Sequence, residues 1–454
     1  MNRTAIRVVR TACLFLVAMQ ISQTAGRPAD ETPPALRLAA SADAIYTKNP
    51  NDSWNRIFYY LFSRRVMTHL TSDFPEGAPF RDLEGLLEST PMQVSTRTFE
   101  RVERGDRAID PLYPSFLTDE GARVVLQGPN YVGFRAALDA ALQDNAQRST
   151  VARAIMQNDL WSAHDMIYKY RHYKLQGEAE LAEHRVEVLE RLGHLIQKVA
   201  LRSEEIRSLA DNYAIAKKKA ALPDLFKKNG GWVEIQWFPR RLHDEAVGYR
   251  RVTRVFLKPA HVPGNIQEFL NDFRRDGNDA SAKLDGVALI VQLLLIDEQG
   301  RAQTTGITTD VQFRLFERTK GGDFQRTRVG IYELSRKQIL NQLESGGLSQ
   351  QREGEPAYLP SAGNDYTFAS TQRAAGGPAT PLVVKARSRC AFCHGDSDLR
   401  HVMTFSMNVV PGENLPAVRR LDPAADEAAR FVISQKTTRD DWKSLHQYFA
   451  GTSR

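Results

Sequence analysis

The chain has 454 residues, about three ordinary domains' worth, and is 42% hydrophobic and 25% charged. That is the composition of a soluble globular protein, not of a disordered, fibrous or polytopic membrane one. Its formal charge of +7 falls to +4 without Arg3, Arg7 and Arg10, which lie in a leader expected to be removed. So small and dispersed an excess excludes a nucleic-acid binder, and three cysteines exclude a disulfide-stapled scaffold.

Residues 1–10 (MNRTAIRVVR) are basic, 11–21 (TACLFLVAMQI) are nearly all apolar, and Thr24-Ala25-Gly26 supply small residues. This layout predicts a secretory signal peptide over 1–26 and hence a periplasmic or secreted protein. The apolar core is about half the ~20 residues a bilayer crossing needs, so no stable membrane span is expected. Cys13 lies inside that core and does not follow a small-residue box, which argues against a lipoprotein.

A leader rich in Pro and Ala, expected disordered, covers 27–50. A helical region is predicted over 51–221. Ile57, Phe58, Leu61, Phe62, Val66 and Leu70 recur at helical spacing. A second helix is predicted from Ser149 to Tyr170, and one or two more between Glu178 and Lys219. The Lys217-Lys218-Lys219 run reads as a solvated helix end. His164 and Asp165, with His172, read as core or surface residues and not as metal ligands.

A β-rich domain is predicted over 230–345. Its strands are Gly231–Phe238, Arg251–Leu257, Val287–Asp297, Asp310–Arg318 and Arg326–Leu334, with a turn at Glu298-Gln299-Gly300. Val287–Ile296 (VALIVQLLLI) is apolar enough for a strand buried on both faces. Short helices are expected at Asn265–Arg274 and Ser335–Leu343. Residues 346–381, rich in Gly, Pro, Ser, Ala and Thr, read as a linker or long loop.

Beyond it stands Cys390-Ala391-Phe392-Cys393-His394, the CxxCH attachment signature of c-type haem. Two thiols add across the two porphyrin vinyl groups, the two-residue spacer sets both sulfurs along one edge, and the following histidine reaches the iron. Cys390 and Cys393 are the only cysteines outside the leader. A thioredoxin-like site would want a preceding strand in a βαβ context, and here a linker precedes. A zinc site from Cys390, Cys393, His394 and His401 would be strained by adjacent ligands at 393 and 394. A disulfide would leave the histidine unexplained.

Residues 380–395 (TPLVVKARSRCAFCHG) resemble the first helix and haem-binding turn of mono-haem cytochrome c domains, down to the glycine after the histidine. The resemblance implies a small all-α haem domain over 376–454. It also implies one covalent haem c on Cys390 and Cys393, with His394 as proximal iron ligand, attached outside a bacterial inner membrane. Trp54-Asn55-Arg56 and Met156–Trp161 resemble parts of exported bacterial proteins that end in such a domain, a likeness that carries no activity. The expected whole is an α+β multidomain chain: helical N-terminal region, β-rich middle, all-α cytochrome c-like end.

The distal ligand is less constrained. A chain rounding the porphyrin edge must cover roughly 20 Å at no more than ~3.4 Å per residue. His401 is too close to His394, Met403 is tight, and Met407, 13 residues on, fits comfortably. His446 on a predicted C-terminal helix (Asp440–Phe449) is a third possibility, and an open iron a fourth. No catalytic residue is assigned. Three functions compete: an electron-transfer protein with a periplasmic redox partner, a peroxidase-like oxidoreductase with an open iron, and a binding or scaffold protein with an accessory haem. Peroxidases of the multi-haem type carry at least two CxxCH motifs and this chain has one, which favours the first.

Overall fold

The computed structural model describes residues 45–49, 51–62, 125–169, 179–227, 230–237, 248–261, 264–275, 283–341, 343–350, 356–358, 383–385, 418–422 and 426–449. The fold is mixed α+β, with helices packed around a seven-stranded sheet.

The helical part runs α1 (Ser53–Phe62), α2 (Gly128–Gln143), α3 (Thr150–Lys169), α4 (Ala179–Lys198), α5 (Ser203–Arg207) and α6 (Asn212–Lys217). The predicted helix at 149–170 is α3, and the stretch 178–219 forms three helices in place of one or two. The Leu209–Asp211 break has a local cause: the Asp211 carboxylate accepts from the Ala214 amide and starts a fresh helix.

The sheet contains β1 (Val233–Trp237), β2 (Arg251–Pro259), β3 (Leu284–Ile296), β4 (Ala302–Arg318), β5 (Phe324–Leu334), β6 (Leu348–Gln350) and β9 (Val418–Arg420), in the order β6-β5-β4-β3-β2-β1-β9. Every pairing is antiparallel. All five predicted strands are present, and the apolar run lies in β3, the central one, as burial on both faces requires. The β3–β4 turn is built on Asp297: its buried carboxylate accepts from the Gln299 and Arg301 amides and the Ser203 hydroxyl, while Gly300 takes φ +79°.

Alternation along the strands gives the sheet two apolar faces. Leu257, Val287 and Phe316 gather around Leu270 of α7 (Ile266–Arg275). Phe256, Ala288, Ile290 and Phe313 gather with Tyr213, Ala216 and Leu225. At the far end of β3, Leu294 and Ile296 join the core of α1–α4.

Helix α8 (Arg336–Asn341) precedes β6, which falls within the expected linker and buries Leu348. Further along, β7 (Pro356–Tyr358) and β8 (Val383–Lys385) form a separate two-stranded antiparallel sheet. Part of the segment expected as a first cytochrome helix is therefore strand. The adjacent β-branched Val383 and Val384 favour that conformation.

The described residues near the C-terminus are β9, α9 (Glu427–Thr438) and α10 (Asp440–His446). The helix predicted at 440–449 is α10. These elements share a core with the helical region: Leu421, Ala428, Val432, Trp442, Leu445 and Phe449 pack with Trp54, Trp161 and Leu192. The described residues all belong to one compact unit. Among the described residues no helix is long and apolar enough to cross a membrane.

Candidate functional site

The motif residues Cys390, Cys393 and His394, the distal candidates Met403 and Met407, and also His401 and His172, lie outside the described residues. What is described is how the chain enters and leaves that stretch. Strand β8 ends at Lys385, five residues before Cys390, and is paired to β7. Strand β9 begins at Val418, 24 residues after His394, and is hydrogen-bonded to β1. Since β6 and β9 are the two outer strands of the large sheet, residues 351–417 leave it at one edge and return at the opposite one.

The helix predicted at 149–170 is the centre of the molecule. Fourteen consecutive residues of α3, Ala154–Ile167, are buried. A helix enclosed on all sides should be apolar all round. This one carries Gln157, Asn158, Asp159, Ser162, His164 and Asp165. Burying such groups is costly without partners, so their partners organise what surrounds the helix.

Gln157 ties the helix to the sheet. Its amide nitrogen donates to the Ile296 carbonyl at 2.8 Å, and its amide oxygen accepts from the Ile296 amide at 2.8 Å, reproducing a strand pairing with a side chain. Asp159 is held by a bidentate Arg336, at 2.6 and 3.0 Å, and by Asn158 and Tyr46. Burial and the Asp159 charge push the Tyr46 phenol well above its usual range, so it stays a donor. Burial works against the Arg336 cation, but Asp159 outweighs it and holds the guanidinium charged.

Six residues further along, Asp165 accepts from Lys436 Nζ at 2.5 Å and pairs with Arg250 Nε at 3.1 Å. Lys436 also donates to Asp441 at 2.8 Å, and its ammonium lies 5.3 Å from the Trp161 ring centroid. Arg439 closes the cluster on Asp441 at 2.8 Å. Burial alone would raise the Asp441 carboxyl; Lys436 and Arg439 overcome it and bring it down to about 2. Arg250, Lys436 and Asp165 are at most 1% exposed at their side chains, so the charges compensate one another out of water.

His164, fully buried beside this cluster, stacks on Tyr168. Its Nδ1 lies 3.6 Å from Asp165 Oδ1, and neither ring nitrogen has a hydrogen-bond partner among the described residues. Of the core or surface placement expected for His164 and Asp165, the structure shows the core one. Trp161 is 1% exposed and packs at 5.8 Å from Trp442. His446 is exposed at the end of α10, against Trp442 and the Gly300 turn. Among the described residues no group of three or more His, Cys, Asp and Glu converges to hold a metal ion.

Chemically, the Lys436 and Arg336 cations are both held by carboxylates, Lys436 by Asp165 and Asp441 and Arg336 by Asp159. They are fastenings. Sequence reasoning did not find them, because Lys436, Asp165 and Arg250 come from three distant segments. The available signal was the run of polar residues 157–159 inside an otherwise helix-core pattern.

No family model, curated protein or solved structure matches the chain. Function therefore rests on the residues themselves.

Proposed function

We propose that the chain is an exported haem c protein acting in electron transfer, with one haem bound covalently through Cys390 and Cys393. The observation that carries this is CxxCH itself: the only two cysteines outside the leader stand at the attachment spacing, followed by histidine. In this reading the Cys390 and Cys393 thiols hold the porphyrin edge and the His394 imidazole takes the proximal side of the iron. Met407 supplies the distal sulfur, with Met403 as the weaker alternative. A haem so ligated supplies a one-electron couple whose potential its axial ligands set.

What supports a relay within this fold is that the chain after the motif is fixed to the large sheet by β9, paired to β1. The partner is read as a periplasmic redox protein.

The test is expression of the full chain with haem-attachment machinery, followed by a denaturing gel stained for haem and by oxidised and reduced spectra. Low-spin spectra in both states, insensitive to modest cyanide, are expected. A high-spin ferric spectrum with rapid cyanide binding would replace electron transfer by a peroxidase-like reading. A colourless product would remove haem altogether.

A further inference from the structure

Three features of the C-terminal segment stand together. First, β9 adds a strand to the outer edge of β1, in register Ile235↔Arg420 and Trp237↔Val418, and the Leu421 amide continues the ladder to the Glu234 carbonyl at 3.0 Å. Second, α9 and α10 press Val432, Trp442, Leu445 and Phe449 into the core around α3. Third, its one fully buried cation, Lys436, meets carboxylates from both sides, Asp165 of the body and Asp441 of its own segment. Arg254 of β2 adds a bond to Asp426, just ahead of α9. These are the ways a separate peptide is recognised: strand addition to a free edge, an apolar helix face in a groove, and a buried charge that fixes register.

We propose that residues 418–449 are a self-docking segment, and that the edge of β1 with the flank of α3 and β2 that the segment covers is its receptor surface. This inference does not rest on haem being present. Its consequence is that the segment remains seated when the chain ahead of it is cut. Linkage across several contacts then keeps the motif-bearing stretch on the body, because strand and helices bind as one multivalent unit.

The test is made on the full chain. A recognition sequence for a site-specific protease is placed within residues 361–379, and the purified protein is cleaved under native conditions. Size exclusion should then give one peak containing both pieces, which separate only in denaturant. Two peaks under native conditions would overturn the proposal, whether or not the smaller piece stains for haem.

Lys436→Met tests the charge component. In the uncut chain the tether keeps the segment in place, so the variant should elute as wild type; after cleavage its smaller piece should be lost from the peak. Full retention after cleavage would contradict the role given to Lys436. Should Lys436→Met not fold even uncut, Leu445→Ala weakens the apolar contact more mildly, and it too should release the piece on dilution of the cut protein. Undiminished retention in that variant would count against the proposed surface.

Discussion

The Lys436 ammonium lies 2.5 Å from Asp165 Oδ2, joining the penultimate described helix to the central one across 271 residues of sequence. Neither side chain is more than 1% exposed. Such a pair is weak evidence of net stabilisation, because both charges were taken out of water to form it. Removing one member is another matter.

Lys436→Met leaves Asp165 and Asp441 facing each other with only Arg250 and Arg439 as compensation. The expected loss is about 3–5 kcal/mol, the range for a buried pair broken on one side. Chemical denaturation of wild type and variant measures it, read from the midpoint at unchanged slope.

Acid should reveal Asp441. Its folded carboxyl is held at about 2, below the ordinary 3.8. A depressed carboxyl contributes stability that is fully present above the unfolded value and is lost as pH falls from about 4 through about 2. The loss amounts to roughly 2 kcal/mol at the acid end. Asp441→Asn should flatten that part of the stability curve. Parallel wild-type and variant curves between pH 4 and 2 would refute the assignment.

Gly300 couples the β3–β4 turn to the C-terminal segment. Its φ is +79°, and an added Cβ would fall 2.9 Å from Phe449 Cβ and 3.1 Å from His446 Nε2. Gly300→Ala therefore strains the backbone and pushes on the residues after α10. A destabilisation of at least ~1 kcal/mol is expected, visible as a lower Tm. An unchanged Tm would mean the turn and the segment are not in contact.

Met407→Ala addresses the distal ligand. In the holoprotein it should abolish the sulfur-to-iron charge-transfer band, while Met403→Ala leaves it intact. The reverse pattern would transfer the role to Met403.

Much of the sheet was legible because its residues obey a local rule. Val311, Phe313 and Leu315 alternate with polar neighbours in β4, and the apolar run of β3 marks the central strand, covered on both faces. The centrality of α3 was not legible, since Asp159 and Asp165 make sense in a core only with Arg336, Arg250 and Lys436, which lie far along the chain. Strand β9 was hidden for another reason: Val418-Arg419-Arg420 has one apolar residue, and it is strand because β1 offers an edge. The CxxCH motif was legible from spacing alone, and the fold adds that the chain beyond it joins the large sheet through β9.

The most direct measurement is the intact mass of protein purified from a periplasm competent for haem attachment, with peptide mapping of the modified residues. One haem per chain, linked at both Cys390 and Cys393 and absent from a double serine variant, is the predicted result. A bare polypeptide mass with both thiols free, or joined to each other, would contradict it.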